Sequence, residues 1–355
     1  MQIIADDLRT IELFHDDVLN LYDTWDTPIV IVSDGAYGID GGGLYAGNTA
    51  TLNGAELQGN ACAAAGCTSG GVYATSHLTL TQVVTTVDDI EARGNWWHNG
   101  NFIQNGGAVT FRGATTQIIA GSAPVIFASL AISNTGAGVY LGQNITVTNR
   151  LTLTTDLTTT ANYTLNLTEG ATSAGSGDVW GNTARRYTFA ADTAYSFGNP
   201  NVSLTFGVTS ALPSGISVAS TPGAPDGYPY AVSRTYTITV NGGGTYSATV
   251  RLHYQDSELG YGEAGLKLMR YNGSAWENQG SDAADTTANW VEKSGIAAFS
   301  PWALANRTPT AITLRDFRST PTAGLELPLL MGSALLIGCG AWLIGRRRRR
   351  SRPTE

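Results

Sequence analysis

Charge is scarce in this chain. Charged residues make up 14% of its 355 positions, against roughly a quarter in average globular proteins, and only Lys267 and Lys293 are lysines. Six of the 20 basic residues and one of the 28 acidic ones fall in residues 346–355, which leaves the preceding chain with 14 basic against 27 acidic. Such a body repels phosphate backbones, so nucleic acid is excluded as the expected partner of the main body. Cysteine is also rare. Cys62 and Cys67 share one short loop, ACAAAGC, and read either as a disulfide in an oxidising compartment or as two free thiols; Cys339 lies in an apolar segment. Paired cysteine or Cys/His spacing for zinc is absent. The four histidines (His15, His77, His98, His253) show no H-x-x-x-H spacing. Neither lysine completes a phosphate-binding G-K-[ST] step, and there is no G-x-S-x-G nucleophile turn.

What the chain has instead is glycine, 43 residues of it, with abundant Thr, Ser and Asn and an apolar fraction of 42%. Gly and Asn tolerate positive φ at tight turns and Thr packs well on pleated sheets, so the bias predicts short strands joined by turns around a real core. The fold expectation is all-β: a parallel β-solenoid over 36–175, an antiparallel β-sandwich over 178–306, a linker at 307–326, a transmembrane helix at 327–345 and a basic cytoplasmic tail at 346–355.

The tail is the plainest signal. Residues 327–345, LPLLMGSALLIGCGAWLIG, carry no charge and as a helix would span about 28 Å, close to the hydrocarbon thickness of a bilayer. Arg346, Arg347, Arg348, Arg349 and Arg350 follow, with Arg352 beyond them. Such a cluster stays on the cytoplasmic side, which places the body outside, and Trp342 lies where an interfacial aromatic belongs. The arrangement over residues 311–352 resembles bacterial C-terminal sorting signals, in which an apolar helix and an Arg cluster follow a short motif. The resemblance implies a membrane transpeptidase or an exosortase-like enzyme as a partner. Neither LPxTG nor a PEP triplet is present; Leu327-Pro328 is the nearest counterpart. A plain lipid-embedded tail anchor explains the same residues.

Residues 36–86 carry an internal repeat. GGGLY at 41–45 recurs as SGGVY at 69–73, so Tyr45 and Tyr73 are 28 positions apart, as are Leu52 and Leu80 in the Thr-rich runs TATLN and LTLTQ. A glycine corner followed by a Thr-rich strand and a polar turn is what one solenoid coil needs. The segment resembles the repeats of right-handed β-helix surface proteins. Alternating apolar pairs continue the pattern: Val109 and Phe111, Val139 and Leu141, Ile145 and Val147, Leu151 and Leu153. Asn99, Gly100, Phe102, Val109, Phe111, Gly113, Gln117, Ile119 and Gly121 resemble a module of large secreted bacterial surface proteins, for which no catalytic role follows. Strand candidates of the sandwich are RRYTFAA, AYSFGNPNVSLTFGV, SRTYTITV, YSATVRLHYQ, GLKLMRYNGSAWENQ, NWVEKSG and FSPWALA; Pro213, Pro222, Pro225 and Pro229 mark an interrupting loop. This set resembles the domain that precedes the anchor in such surface proteins.

Residues 1–35 differ from the rest. MQIIADDLRTIELFHDDVLNLYDTW reads as an acidic helix and TPIVIVSDGAYGI as a buried strand ending in a polar turn. The segment reads as a cap on the solenoid or as a foreign fusion. It resembles the opening of amino-group DNA methyltransferases, and Asp34, Gly35, Ala36 and Tyr37 stand where that family holds a flipped base, without its two prolines. No F-x-G-x-G cofactor motif accompanies it. An exported chain needs a signal peptide with a basic start and an apolar run, whereas Asp6 and Asp7 follow Met1 closely. The expectation is a start elsewhere or a truncated chain.

Two acidic groups are candidates for chemistry: Asp88, Asp89 and Glu91, and Asp256, Glu258 and Glu263. Carboxylates of this kind serve β-helical carbohydrate-active enzymes, or hold Ca²⁺ through several oxygens, or simply form a solvated edge. His98 beside Trp96 and Trp97 reads as a sugar-stacking group or a turn residue. No catalytic residue or metal site is assigned. The leading expectation is a non-catalytic, adhesin-like or structural protein on the extracellular face of the cell envelope, touching membrane lipid and a surface carbohydrate or protein ligand. A β-helical carbohydrate-active enzyme and a DNA methyltransferase remnant are the alternatives.

Overall fold

Side chains that alternate inward and outward at period two, interrupted by glycine and asparagine, let a chain wind as stacked coils in which each strand pairs in parallel with the strand one coil earlier. The computed structural model describes residues 71–81, 83–207 and 212–307, together with strands between Ile3 and Leu57. All of them fall within one compact unit, Met1–Thr310. The described residues are all-β, apart from a single 3-10 turn at Asp256–Glu258. They begin with a parallel β-solenoid and end in two packed antiparallel sheets.

The solenoid has three faces. The first stacks Leu44–Ala46, Val72–Ala74, Ile90–Ala92 and Val109–Phe111, then the second halves of Val125–Ile132 and Ile145–Leu153, and then Thr172–Gly175. The second stacks Ala50–Asn53, Leu78–Thr81, Trp96–His98, Gln117–Gly121, Val139–Leu141, Leu157–Leu167 and Val179–Arg185. The third carries Ala55–Leu57, Val83–Thr86 and Asn101–Gln104. The repeat legible in the sequence is the coil itself: Tyr45 pairs with Tyr73 and Leu52 with Leu80, 28 positions on. Later coils are shorter, with Val72 paired to Ile90 and Val109 to Leu130.

Two boundaries differ from the sequence reading. Where residues 1–25 read as a helix, Ile11–Leu13 and Leu19–Tyr22 are strands, paired in parallel with Leu44–Ala46 and Ala50–Asn53. Ile29–Val32 is the expected strand, and it joins the third face beside Ala55–Leu57. Coil stacking has overridden a helix-like local pattern. At the other end the parallel ladder does not stop near residue 175. It runs on to Ala184, which pairs with Asn166.

The interior is aliphatic over most of its length. All eight residues of the alternating pairs named above are buried. Midway the core holds an aromatic plug, in which Trp96 contacts Phe102, Phe111 and Phe127 at ring-centroid distances of 5.2, 6.0 and 5.5 Å. Corners are closed by amide and carboxylate side chains that accept a hydrogen bond from the backbone of the next coil. Asn95 accepts from Ile118 N, Asn99 from Ser122 N, Gln104 from Ala128 N, Asn144 from Thr164 N and Asp156 from Asp178 N. Gln117 braces the coils from inside. Its Oε1 accepts from Gly113 N at 2.7 Å and from Asn134 Nδ2 at 2.8 Å, while its Nε2 donates to the carbonyls of Ala92 and Gly94 at 2.9 and 2.7 Å.

The carboxyl-terminal body is two sheets. One orders Ala194–Phe197, Asn199–Phe206, Ala248–His253, Trp290–Ile296 and Ala283–Asp285. The other orders Gly215–Pro222, Arg234–Asn241, Pro301–Ala305, Lys267–Tyr271 and Trp276–Gly280. Their shared core includes Phe206, Val218, Tyr236, Val250, Leu268 and Trp302. RRYTFAA, expected as a strand, is not one beyond Arg185. Gly215–Pro222, expected within a proline-marked loop, is an eight-residue strand. Pro222 is its last residue, where the absent N–H costs no ladder bond.

Replacing Gln117 by Leu strands the buried Gly113 amide and the Gly94 carbonyl, each worth about 1–3 kcal/mol, and costs Asn134 Nδ2 and the Ala92 carbonyl one bond each, although Asn134 still donates to the Thr115 carbonyl and Ala92 still accepts from Arg112 N. Urea denaturation of Gln117→Leu is expected to show a loss of about 3 kcal/mol or more, while Trp97→Ala, at an exposed site, stays within about 0.5 kcal/mol of the parent.

Candidate functional site

Pairing across coils sets one outward row of side chains on the second face. Ile118 pairs with Tyr140, Tyr140 with Thr158 and Thr158 with Trp180. Tyr140 and Trp180 therefore stand two strand spacings apart, about 10 Å. Between Thr158 and Thr164 the register shifts twice. At this bulge Thr160 adopts φ 60°, a left-handed conformation that a β-branched residue rarely takes. Opposite it Gly181 has φ 105°, and a Cβ there would sit 2.2 Å from Thr159 Oγ1. That same oxygen accepts from Asn182 N at 2.6 Å. The bulge turns the strand and leaves a hollow beside Trp180.

The far wall of the hollow is the strand that the sequence reading missed. Gly215–Pro222 lies antiparallel to Val179–Arg185, with Ser220 opposite Gly181 and Ala219 opposite Asn182. Tyr140, Thr158 and Trp180 on one side and Ser220, Thr221 and Pro222 on the other border a cleft of about 620 Å³. Its lining contains no Asp, Glu, Lys, Arg or His.

Trp180 is clamped from behind. The Arg234 guanidinium lies 4.3 Å from its ring centroid, and Nε1 donates to Asp156 Oδ2 at 2.8 Å. Arg234 is the centre of a buried network. It donates to Asp178 Oδ2 at 2.8 Å, to Glu258 Oε1 at 2.9 and 3.0 Å and to the Tyr236 hydroxyl at 3.0 Å. His253 Nδ1 lies 2.9 Å from Asp178 Oδ1, and Gln255 Nε2 donates to Asp178 Oδ2 at 3.0 Å. Burial pushes the Asp178 carboxyl up, but the hydrogen bonds and charges of His253 and Arg234 prevail and bring it down to about 2. Burial weighs against the Arg234 charge, which Tyr236, Asp178 and Glu258 nonetheless hold above its ordinary value. Glu258, raised by burial against the pull of Arg234, lies above the ordinary carboxylate value.

A second cleft, about 480 Å³, borders Glu169, Arg185, Tyr195, Arg251 and Glu292. Its arginines are already engaged. Arg251 pairs with Glu292 at 2.9 Å, and Arg185 donates to the carbonyls of Thr168, Ala171 and Ser196 at 2.7–2.8 Å.

Five of the six acids named from sequence, Asp89, Glu91, Asp256, Glu258 and Glu263, serve the framework through their carboxylates. Glu91 is buried and pairs with Arg93 at 2.8 Å and Arg112 at 3.7 Å. Asp89 accepts from Ala108 N, and Asp88 N donates to Thr86 Oγ1. Glu258 belongs to the Arg234 network, Asp256 accepts from Asn289 and Glu263 from the Tyr254 hydroxyl. His98 is not placed to stack on a sugar. It is buried inside the coils beside Phe102, with Nδ1 3.3 Å from the Ala123 carbonyl, and burial lowers its pKa. Its neighbour Trp97 is the exposed ring. Cys62, Cys67, the residues Asp34 to Tyr37 and the tail residues Leu327, Pro328, Trp342 and Arg346 to Arg350 lie outside the described residues. Among the described residues no group of three His, Cys, Asp or Glu could hold a metal ion, and no helix is long and apolar enough to cross a membrane. Comparison with family models, curated proteins and solved structures finds no match to the chain.

Asp178 contributes stability that is complete above the unfolded carboxylate pKa of about 4 and is lost as pH falls to about 2. Glu258 acts in the opposite sense, since its raised folded value gains stability as pH falls through it. Asp178→Ala removes one of the two carboxylates that hold the buried Arg234, with the partner of His253 and Gln255 as well, and is expected to cost about 3–5 kcal/mol. In acid titrations followed by circular dichroism, the steep loss between about pH 4 and pH 2 is expected to flatten in Asp178→Asn.

Proposed function

We propose that this chain is a non-catalytic cell-surface protein, structural or adhesin-like, held at the membrane by residues 327–345 and oriented by the Arg346–Arg350 cluster. The observation that carries the reading is the solenoid whose last coil continues directly into the antiparallel body through the Val179–Arg185 and Gly215–Pro222 pairing. That continuity suits a stiff element that presents a surface at a distance from its attachment. A β-solenoid by itself serves enzymes and adhesins alike. What favours the non-catalytic side is the use of the carboxylates. Glycoside hydrolysis needs two of them facing one another across a substrate, whereas Asp89, Glu91, Asp256, Glu258 and Glu263 are held by a backbone amide, Arg93 and Arg112, Asn289, Arg234 and Tyr254. The apolar tail and its six arginines support anchoring with the body outside.

Fractionation of the native cells with an antibody to residues 180–300, joined to mass spectrometry of both termini, tests this. The expected product sits in the envelope fraction and is cleaved by protease added to intact cells. A protease-protected cytoplasmic product that retains residues 1–35 overturns the reading.

A further inference from the structure

The neutral cleft beside Trp180 has the chemistry of a binding site rather than of a packing fault. We propose that it binds an uncharged glycan, laid across the strands with one pyranose ring against Tyr140 and another against Trp180. This rests on the reading of the chain as a surface-exposed, non-catalytic body and names its ligand class.

Three observations carry it. The first is preorganisation. The Trp180 ring is fixed on one side by Arg234 at 4.3 Å and at its edge by Asp156 at 2.8 Å, so little side-chain freedom is lost when a ligand stacks on it. The second is spacing and polarity. Tyr140 and Trp180 are separated by two strand spacings, about 10 Å, with Thr158 between them in the same row. Pyranose rings offer an apolar C–H face to such aromatics and hydroxyls at their edges. The hydroxyls of Thr158 and Thr221 and the amide of Asn182 line the same cleft, and their side chains make no hydrogen bond to another described residue. The absence of a charged lining residue selects against uronic acids, sulfated sugars and phosphates, whose desolvation would go uncompensated. The third is strain. Thr160 is held at φ 60° at the rim, a conformation that costs of order 1–3 kcal/mol and collects at ligand sites. Buried beside it, the hydroxyls of Thr160 and Ser220 have no partner among the described residues. A lipid suits this cleft less well, because it does not use the hydroxyl and amide rim; a proline-rich peptide, whose carbonyls could accept from that rim, is separated from a glycan by the test.

The test is calorimetry of the full chain in detergent micelles with cellohexaose, xylohexaose, mannohexaose and chitohexaose as neutral probes. Hexagalacturonate is the anionic control and a proline decamer the peptide control. At least one neutral hexasaccharide is expected to bind. Tyr140→Ala, which leaves the Trp180 clamp intact, is expected to weaken it about tenfold or more. Thr221→Trp, at an exposed wall position, fills the cleft and is expected to abolish binding without lowering the melting temperature. Trp97→Ala, an exposed aromatic outside the cleft, is expected to change nothing. Equal binding of hexagalacturonate, binding of the proline decamer alone, no binding of any neutral probe, or binding untouched by Tyr140→Ala and Thr221→Trp each overturns the proposal. Failure of glycan binding by a chain found at the cell surface removes this inference and leaves the surface reading standing. Glycan binding by a chain found in the cytoplasm does the reverse.

Discussion

A stack of parallel coils ends in a row of unpaired amides and carbonyls, and the carboxyl-terminal part of this protein is arranged around closing that row. An open edge invites pairing with another chain. Here the last coil strand, Val179–Arg185, takes an antiparallel partner, Gly215–Pro222, from the same chain. Arg185 completes the closure by donating to the carbonyls of Thr168 and Ala171 at the end of the coil. The antiparallel sheet that starts with Gly215–Pro222 is thus an extension of the solenoid wall, and that strand is the seal.

The seal has to reconcile two kinds of sheet, and it does so with charge. Asp156 and Asp178 come from the last coils, and Arg234, Tyr236, His253, Gln255 and Glu258 from the sandwich. Buried charges are tolerable only when paired and fully hydrogen-bonded, so the network holds the two parts in one geometry. Arg234 also sits against the inner face of Trp180. The rigidity of that ring, and the cleft that it borders, are consequences of how the two halves are joined. The bulge at Thr160 and the glycine at 181 make the same joint from the backbone side.

Elsewhere the coils hold by repetition. Asn, Asp and Gln at the corners accept from the backbone of the following coil, each sparing one amide that the turn would leave without a ladder partner. This accounts for a chain rich in asparagine. Corner positions need short acceptors that reach a neighbouring backbone about 5 Å away.

What residues near one another in the chain decide was legible. Inward alternation at Val109 and Phe111 or Leu151 and Leu153, and the 28-residue register from Tyr45 to Tyr73, follow from local period and repeat, and the structure keeps them. Local pattern misled in three places, each for a tertiary reason. The helix-like spacing near the amino terminus yields to pairing with Leu44–Ala46 and Ala50–Asn53. Pro213 and Pro222 look like loop markers but bracket a strand, because one precedes the ladder and the other ends it. His98 points inward while Trp97 points out, an alternation whose phase only the neighbouring coils set. The cleft left no signal in the sequence at all. Tyr140 and Trp180 are 40 positions apart and meet because two coils of about 20 residues intervene. Asp178 and Arg234 are 56 apart and meet because an antiparallel strand turned back on the last coil. Sequence alone determined the period, and with it the solenoid. The tertiary structure decided which side chains share a surface, since coil length and edge pairing are set by contacts that no local pattern records.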